Sequence, residues 1–575
     1  MSSRPESTNP VAGAPGLGQA ELPAESVAAL LRRNAADPDI AMRPAIRWGE
    51  RVWSHAEYYA ESCRWANLFV ANRVEGRPLH VAVLLDNGPE YLFAFGGAAI
   101  AGGAIVGVNH TRSGEQLLHD ITHTDCVLLI HDTVHADHVR AVRDRIDRSL
   151  TVGPELDAEL DRFDTSDPHL EADLDSPWAL IFTSGTSAAP KAVICSQRRI
   201  LQTGARMAAM MEVTSDDVGY VCMPLFHSNS VMVGWAPSIV VGASVGLAPK
   251  FSASGWLSDV RRYGATYFNY TGKPLAYILA QPERPDDADN ALRVAYGNEG
   301  APQVVAAFSD RFGVHVIDAF GATEGGLAVT RVDDSPPGSV GLAGPELRIM
   351  GDDGQELPAA TFDPSGALID PVACVGEIVN TGGVGVFEGY YNNDEANAKA
   401  TRNGWYWSGD LGYLDADRYL YFAGRTADWI RVDGENFPAG PIETVLARHP
   451  DVLVVAAYGV PDPEAGDRVM ATVVLRDGAS FDPEAFASWV DGQEDLAPKT
   501  RPTHLRIAMS VPTSPTNKVL TRTLVHEKYR PDRVGDDQLW LRARGDDRYR
   551  RFGDAEAEEL HGRLAEFGRE RFWDL

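Results

Sequence analysis

Residues 183–192 read Thr183-Ser184-Gly185-Thr186-Ser187-Ala188-Ala189-Pro190-Lys191-Ala192. Small residues leave backbone N–H groups accessible, hydroxyls add donors, and Lys191 adds a point charge. The chemistry on offer is the cradling of a phosphate. The spacing is not that of the G-x-x-x-x-G-K-[ST] loop, because Lys191 follows a proline and no Ser or Thr comes after it. A nucleotide phosphate held by a different architecture is the functional reading, and an ordinary surface loop is its competitor. The apolar run Trp178-Ala179-Leu180-Ile181-Phe182 just ahead reads as a buried strand delivering the loop,.

Three later segments offer matching groups. Asp318-Ala319-Phe320-Gly321-Ala322-Thr323-Glu324-Gly325-Gly326 follows the strand-like Val314–Ile317. A carboxylate flanked by glycines can approach a Mg²⁺–phosphate complex. Trp405–Tyr413 and Tyr419–Arg425 read as an aromatic hairpin whose Asp410 and Arg425 could hold a ribose diol. Pro512–Arg522 places Lys518 on a Pro/Thr loop. Each segment alone also fits a turn, a plain hairpin or a solvated charge.

Taken in this order, the four segments resemble the motifs of the adenylate-forming superfamily: acyl-CoA synthetases, luciferases and carrier-loading adenylation domains. The resemblance runs from Glu25 to the C-terminus. Lys250–Trp256, Leu292–Gly300 and Val432-Asp433-Gly434-Glu435-Asn436 resemble more narrowly the fatty-acid-transport-protein branch, with its very-long-chain and bile-acid acyl-CoA synthetases. Asn517, a non-glycine before Lys518, fits that branch too.

The resemblance implies an AMP-forming ligase using ATP, Mg²⁺ and coenzyme A. It places the β,γ-phosphates on Thr183, Ser184, Gly185, Thr186, Ser187 and Lys191, Mg²⁺ on Glu324, and Thr323 near the phosphates. Gly297, Asn298, Asp318 and Gly321 surround the nucleotide, with Phe320 stacking on adenine. Asp410 and Arg425 hold the ribose. Lys518 bridges the carboxylate and α-phosphate, then leaves as the lid rotates about residues 425–428. Gly434, Glu435 and Asn436 then form part of a pantetheine tunnel, and His227 is the aromatic gate between acyl and CoA pockets. A histidine satisfied within the core is the bland alternative for His227. Departures are Ala188 and Ala192 where glycines are usual, and Ala427 in the hinge.

Ser228 stands where amino-acid activators carry an Asp for the α-amine, which argues for a carboxylate without an amino group. Segments 223–233, 267–275 and 325–328 are apolar with aromatics, suiting a long-chain or fused-ring acid,. A carrier-loading acyl-AMP ligase and a non-catalytic binding module are the alternatives. The four charged site residues argue against the second.

The elements that must hold these groups are α/β. Apolar runs alternate with helical patterns through the first 420 residues, Val81–Leu85 and Val127–Ile130 reading as strands,. The expectation is a large layered α/β domain over 25–424, a hinge at 425–428, and a small α+β lid over 429–575. In the lid, Pro441–His449 and Pro483–Val490 read as helices, and Glu556–Phe567 as a helix docking on it. Residues 1–24 read as a disordered leader. Tyr91–Val108 and Val231–Pro249 are near membrane-spanning length, but their glycines and prolines favour buried helix–turn–strand segments,.

A chain of 575 residues with 44% hydrophobic and 23% charged residues is a folded, multi-domain protein,. The formal charge of −29 excludes nucleic-acid partners and any pull toward an anionic membrane,. Five scattered cysteines without metal spacing read as reduced thiols in a bacterial cytoplasm,. The expected partners are a hydrophobic acid and CoA, with a homodimer and peripheral membrane contact left open.

Overall fold

The computed structural model describes residues 22–574 except 171–172, 184–189, 299, 301, 332–334, 337, 365–367, 426–428, 433–434, 464–465, 515–517 and 544. The expected leader lies almost wholly outside these residues, and Leu22 and Ala24 already pack on the core ahead of Glu25.

Two mainly parallel sheets build the large domain. One has eight strands in the order Ala328–Thr330, His315–Gly321, Val294–Asn298, Tyr267–Thr271, Val218–Val221, Ser244–Leu247, Pro44–Trp48, Arg51–Ser54. The other has six: Ser149–Thr151, Leu128–His131, His80–Leu84, Ala104–Gly107, Pro177–Thr183, Lys191–Ser196. Their central strands are short and buried along their whole length, as in His80–Leu84 and Ala104–Gly107. Sheets covered on both faces demand such continuous apolar runs.

Helices His55–Ala71 and Pro89–Ala101 pack side by side in the same core. Gly97 allows their close approach: a Cβ there would lie 2.8 Å from that of Trp65. Phe95, Trp178 and Trp235 stack at ring separations of 4.8–5.7 Å and tie helix Pro89–Ala101 to the six-stranded sheet and to the helical segment Asn229–Trp235. The suspected membrane-length stretches are therefore helix–turn–strand units of the core. No helix among the described residues is long and apolar enough to cross a membrane.

A five-stranded antiparallel sheet follows and contains the aromatic hairpin Tyr406–Leu414/Tyr419–Arg425. The lid is a seven-stranded sheet with its own core. Its first helix is Ala439–Leu446, starting and ending earlier than the expected Pro441–His449. Pro483–Asp491 is the second helix. Helix Asp554–Glu566 closes a further cluster on the lid, where Leu564 and Trp573 pack with Ala456 and Tyr458. The lid lies against the large domain, with Tyr277 packing on Val454, Val474, Ala508 and Val511.

Candidate active site

Strands Pro177–Thr183 and Lys191–Ser196 are antiparallel, with Thr183 opposite Lys191. The hydroxyl-rich segment is thus the closing loop of a hairpin, and its residues Ser184–Ser187 lie outside the described residues. Its two anchors converge on one carboxylate. The Thr183 hydroxyl lies 3.4 Å from Glu324 Oε1, and the Tyr390 hydroxyl donates to the same oxygen at 2.9 Å. Lys191 Nζ sits 4.8 Å above the Tyr390 ring. Hydroxyl, carboxylate and ammonium from three distant segments therefore share one small volume, and the oxygen donors suit a hard cation such as Mg²⁺.

Thr323 and Glu324 hang from the end of the strand His315–Gly321. This strand extends further than expected, so Asp318 and Phe320 are strand residues rather than turn residues. The Thr323 hydroxyl pairs with Ser228 Oγ at 2.8 Å. Its carbonyl accepts from the buried Arg199 guanidinium, which also donates to the Ile194 carbonyl at 3.0 Å. Arg199, Tyr390 and Ser228 as a hydroxyl partner went unassigned in the sequence. Each works through tertiary contact with the Thr323–Glu324 turn, so no local spacing marks it.

Gly297 and Asn298 end the strand beside Tyr270 and Asp318. Only glycine fits at 297, since a Cβ would lie 2.4 Å from the Tyr270 carbonyl oxygen. Asn298 Oδ1 is buried and has no partner among the described residues. The Asp318 carboxylate accepts from the Tyr270 hydroxyl at 2.6 Å and from the Gly300 N–H at 2.9 Å, so it braces this strand end. Phe320 faces Phe422 at a ring separation of 5.3 Å, and Gly321 pairs with Ala328. Asp410 lies directly across the hairpin from Arg425.

His227 precedes a π-helix, Asn229–Trp235, a rare geometry frequent at functional sites,. This helix packs on the strand Tyr267–Thr271: Tyr267 donates to the Gly234 carbonyl at 2.9 Å, and Asn229 to the Tyr270 carbonyl at 3.0 Å. His227 Nε2 is buried without a partner among the described residues. Burial first, then the positive charge of Lys518 and the neighbouring His110, pull its pKa down to about 3. Lys518 thus lies within electrostatic reach of His227, and its loop is held by reciprocal bonds with Ser514. Gly272 lines a cleft of about 570 Å³ between the domains, with Lys273 and Arg476. Glu435 and Asn436 lie on the strand Glu435–Pro438, while Gly434 and the hinge residues 426–428 lie outside the described residues. All five cysteines are buried.

The same arrangement of domains recurs in ATP-bound MatB from Rhodopseudomonas palustris, with a TM-score of 0.74, 24% identity, and coverage of 87% of this chain and 98% of that one. A steroid-22-oyl-CoA synthetase of Rhodococcus jostii is 40% identical over 551 residues, 92% of this chain and 96% of its own length. The medium/long-chain-fatty-acid–CoA ligase FadD17 of Mycobacterium marinum is 47% identical over 448 residues, 78% of this chain and 86% of its own. Residues 32–391 match the AMP-binding enzyme family and residues 441–518 its C-terminal domain. Sequence, fold and the Glu324-centred cluster agree, and the chain belongs to the AMP-binding enzyme family of AMP-forming CoA ligases.

Proposed function

We propose that this protein activates a bulky hydrophobic carboxylic acid, long-chain or steroid-type, with ATP and transfers the acyl group to CoA. The observation that carries this reading is the meeting of Thr183 and Tyr390 on Glu324, with Lys518 of the lid within electrostatic reach of His227.

A carboxylate oxygen attacks the α-phosphorus, the bond to pyrophosphate breaks, and an acyl-AMP anhydride forms. Two anions must meet, so charge neutralisation and positioning dominate the barrier. Lys518 supplies a positive charge where they meet. Thr183, Lys191 and the 184–187 loop hold the outer phosphates. Glu324 would hold Mg²⁺, which when bound neutralises phosphate charge. Asn298 Oδ1 is an acceptor for the adenine amino group, and Asp410 with Arg425 takes the ribose. In the second step the CoA thiol sulfur attacks the acyl carbon, AMP leaves, and the thiol proton passes to solvent. Lys518 withdraws with the lid, and the 434–436 segment lines the path to His227.

Two further features support the choice of acid. Ser228, where an Asp would meet an α-amine, is engaged by Thr323. The π-helix presents Met232 and Val233, and the facing strand carries Tyr267 and Tyr270, all buried. A cytoplasmic location accompanies this reading, supported by five cysteines scattered along the sequence without metal spacing,.

A panel of acids from acetate through long-chain to steroid-type, assayed for pyrophosphate release with and without CoA, tests it. Each buried methylene contributes about 0.8 kcal/mol, so kcat/KM should climb a few-fold per carbon and then plateau. A maximum at acetate overturns the hydrophobic pocket. AMP release that requires a carrier protein instead of CoA overturns the acceptor.

A further inference from the structure

Asp86, His110 and His135 lie away from the Glu324 cluster, yet they form the one group among the described residues with metal-ligand geometry. They come from three adjacent parallel strands of the six-stranded sheet. Asp86 follows His80–Leu84, His110 follows Ala104–Gly107, and His135 follows Leu128–His131. Each residue stands just past the C-terminal end of its strand, where open α/β sheets place ligand-binding groups. Asp86 Oδ1 is 3.4 Å from His110 Nδ1 and 3.2 Å from His135 Nε2, and the three ligand atoms lie within 4.8 Å of one another. Two ligands of a tetrahedral zinc ion bound at about 2.1 Å are themselves about 3.4 Å apart.

The hydrogen bonds around the cluster set the lone pairs. His110 Nε2 is 2.7 Å from the Leu85 carbonyl, which can only accept. Nε2 therefore carries the hydrogen. The ring's other nitrogen, Nδ1, faces the Asp86 carboxylate. A backbone carbonyl on the far nitrogen is also what orients a metal-bound imidazole. Asp132 fixes the remaining geometry, accepting from the Asp86 N–H at 3.0 Å and the His135 N–H at 2.9 Å. The His138 ring lies tilted against that of His135 at a separation of 5.6 Å, and its buried Nδ1 has no partner among the described residues. Asp86 remains about one-third exposed, which leaves an entry path.

We propose that Asp86, His110 and His135 bind a divalent transition-metal ion, of the zinc class, at a site separate from the catalytic Mg²⁺. Two imidazole nitrogens and one carboxylate select zinc or cobalt over magnesium. The fourth position is open to water. The ion would brace the gate from behind. The His110 ring packs edge-on against Phe226 at 4.7 Å, and Phe226 contacts His227 at 4.4 Å. Asn87, next to Asp86, donates to the Met223 carbonyl at 2.9 Å and accepts from the Leu225 N–H at 2.8 Å. Metal at Asp86 and His110 would thus hold segment 223–227 from two sides.

Chelator-treated full-length protein titrated with Co²⁺ alone is the test. The expected result is one equivalent bound with the intense visible bands of four-coordinate cobalt, displaced by Zn²⁺, and a melting temperature raised by a few degrees. His135→Gln and Asp86→Asn should each weaken binding at least tenfold, with unchanged far-ultraviolet circular dichroism. Glu324→Gln should leave the cobalt spectrum intact, since that residue belongs to the other site. Absence of a cobalt spectrum in the wild-type chain, or a spectrum that survives both substitutions, overturns the proposal and leaves the cluster a hydrogen-bonded network only.

Discussion

The Tyr390 hydroxyl donates to Glu324 Oε1 at 2.9 Å, joining a residue beyond the phosphate hairpin to the carboxylate expected to hold Mg²⁺. A hydrogen bond to a charged group contributes about 1.5–3 kcal/mol. Tyr390→Phe should therefore lower kcat/KM for pyrophosphate release by about tenfold and raise the Mg²⁺ concentration needed for half-maximal rate. Glu324→Gln should cost at least about a hundredfold while the protein stays folded. Wild-type rates in Glu324→Gln would remove this carboxylate from the metal site.

Lys518 lies on the lid within electrostatic reach of His227 in the large domain, and in the proposed mechanism its charge is required only where two anions meet. Lys518→Ala should block acyl-AMP formation by at least about a hundredfold. It should spare thioester formation from synthetic acyl-AMP and CoA. Equal losses in the two half-reactions would contradict the exchange of lid faces.

Burial and Lys518 hold the His227 pKa near 3, below the ordinary value of about 6.5,. The ring is therefore neutral throughout the working range, and kcat/KM should show no limb from this residue near pH 6.5. In stability the sign is definite. Between these two values the unfolded chain binds the extra proton, so the contribution of His227 is complete above pH 6.5 and is lost as pH falls toward 3. Melting temperatures from pH 7 to pH 4 should fall less steeply in His227→Phe than in the wild type.

Gly297 has no room for a side chain, because its neighbour's carbonyl stands 2.4 Å from where a Cβ would be. Gly297→Ala should push apart the strands that carry Tyr270 and Asn298, costing about 1–3 kcal/mol of stability. KM for ATP should rise more than kcat falls, as the adenine side of the site shifts. Denaturant unfolding and steady-state kinetics on one preparation measure both effects.

Much of the fold was legible from local pattern. Short continuous apolar runs such as Val81–Leu85 read as strands buried on both faces, and Gly102, a left-handed helix cap, ends Pro89–Ala101 where the sequence expects a turn,. The chemistry-bearing types were legible as well, since a hydroxyl loop, an acid in a Gly-rich turn and a lid lysine each offer only a few interactions. What the linear chain leaves undetermined is which distant groups meet. Whether Asp318 faces the nucleotide or braces Tyr270 and Gly300 depends on where the strand His315–Gly321 stops, which sheet pairing sets. Tyr390, Arg199 and Ser228 gain their roles by contacts with Thr323 and Glu324 across 66 to 141 or so intervening positions of chain, as do Thr183 and Glu324 with each other. Asp86, His110 and His135 are unremarked single residues in three loops until parallel pairing aligns their strand ends. Types and periodicities are properties of neighbouring residues, whereas a site built from side chains on separate strands exists only once the sheets have closed.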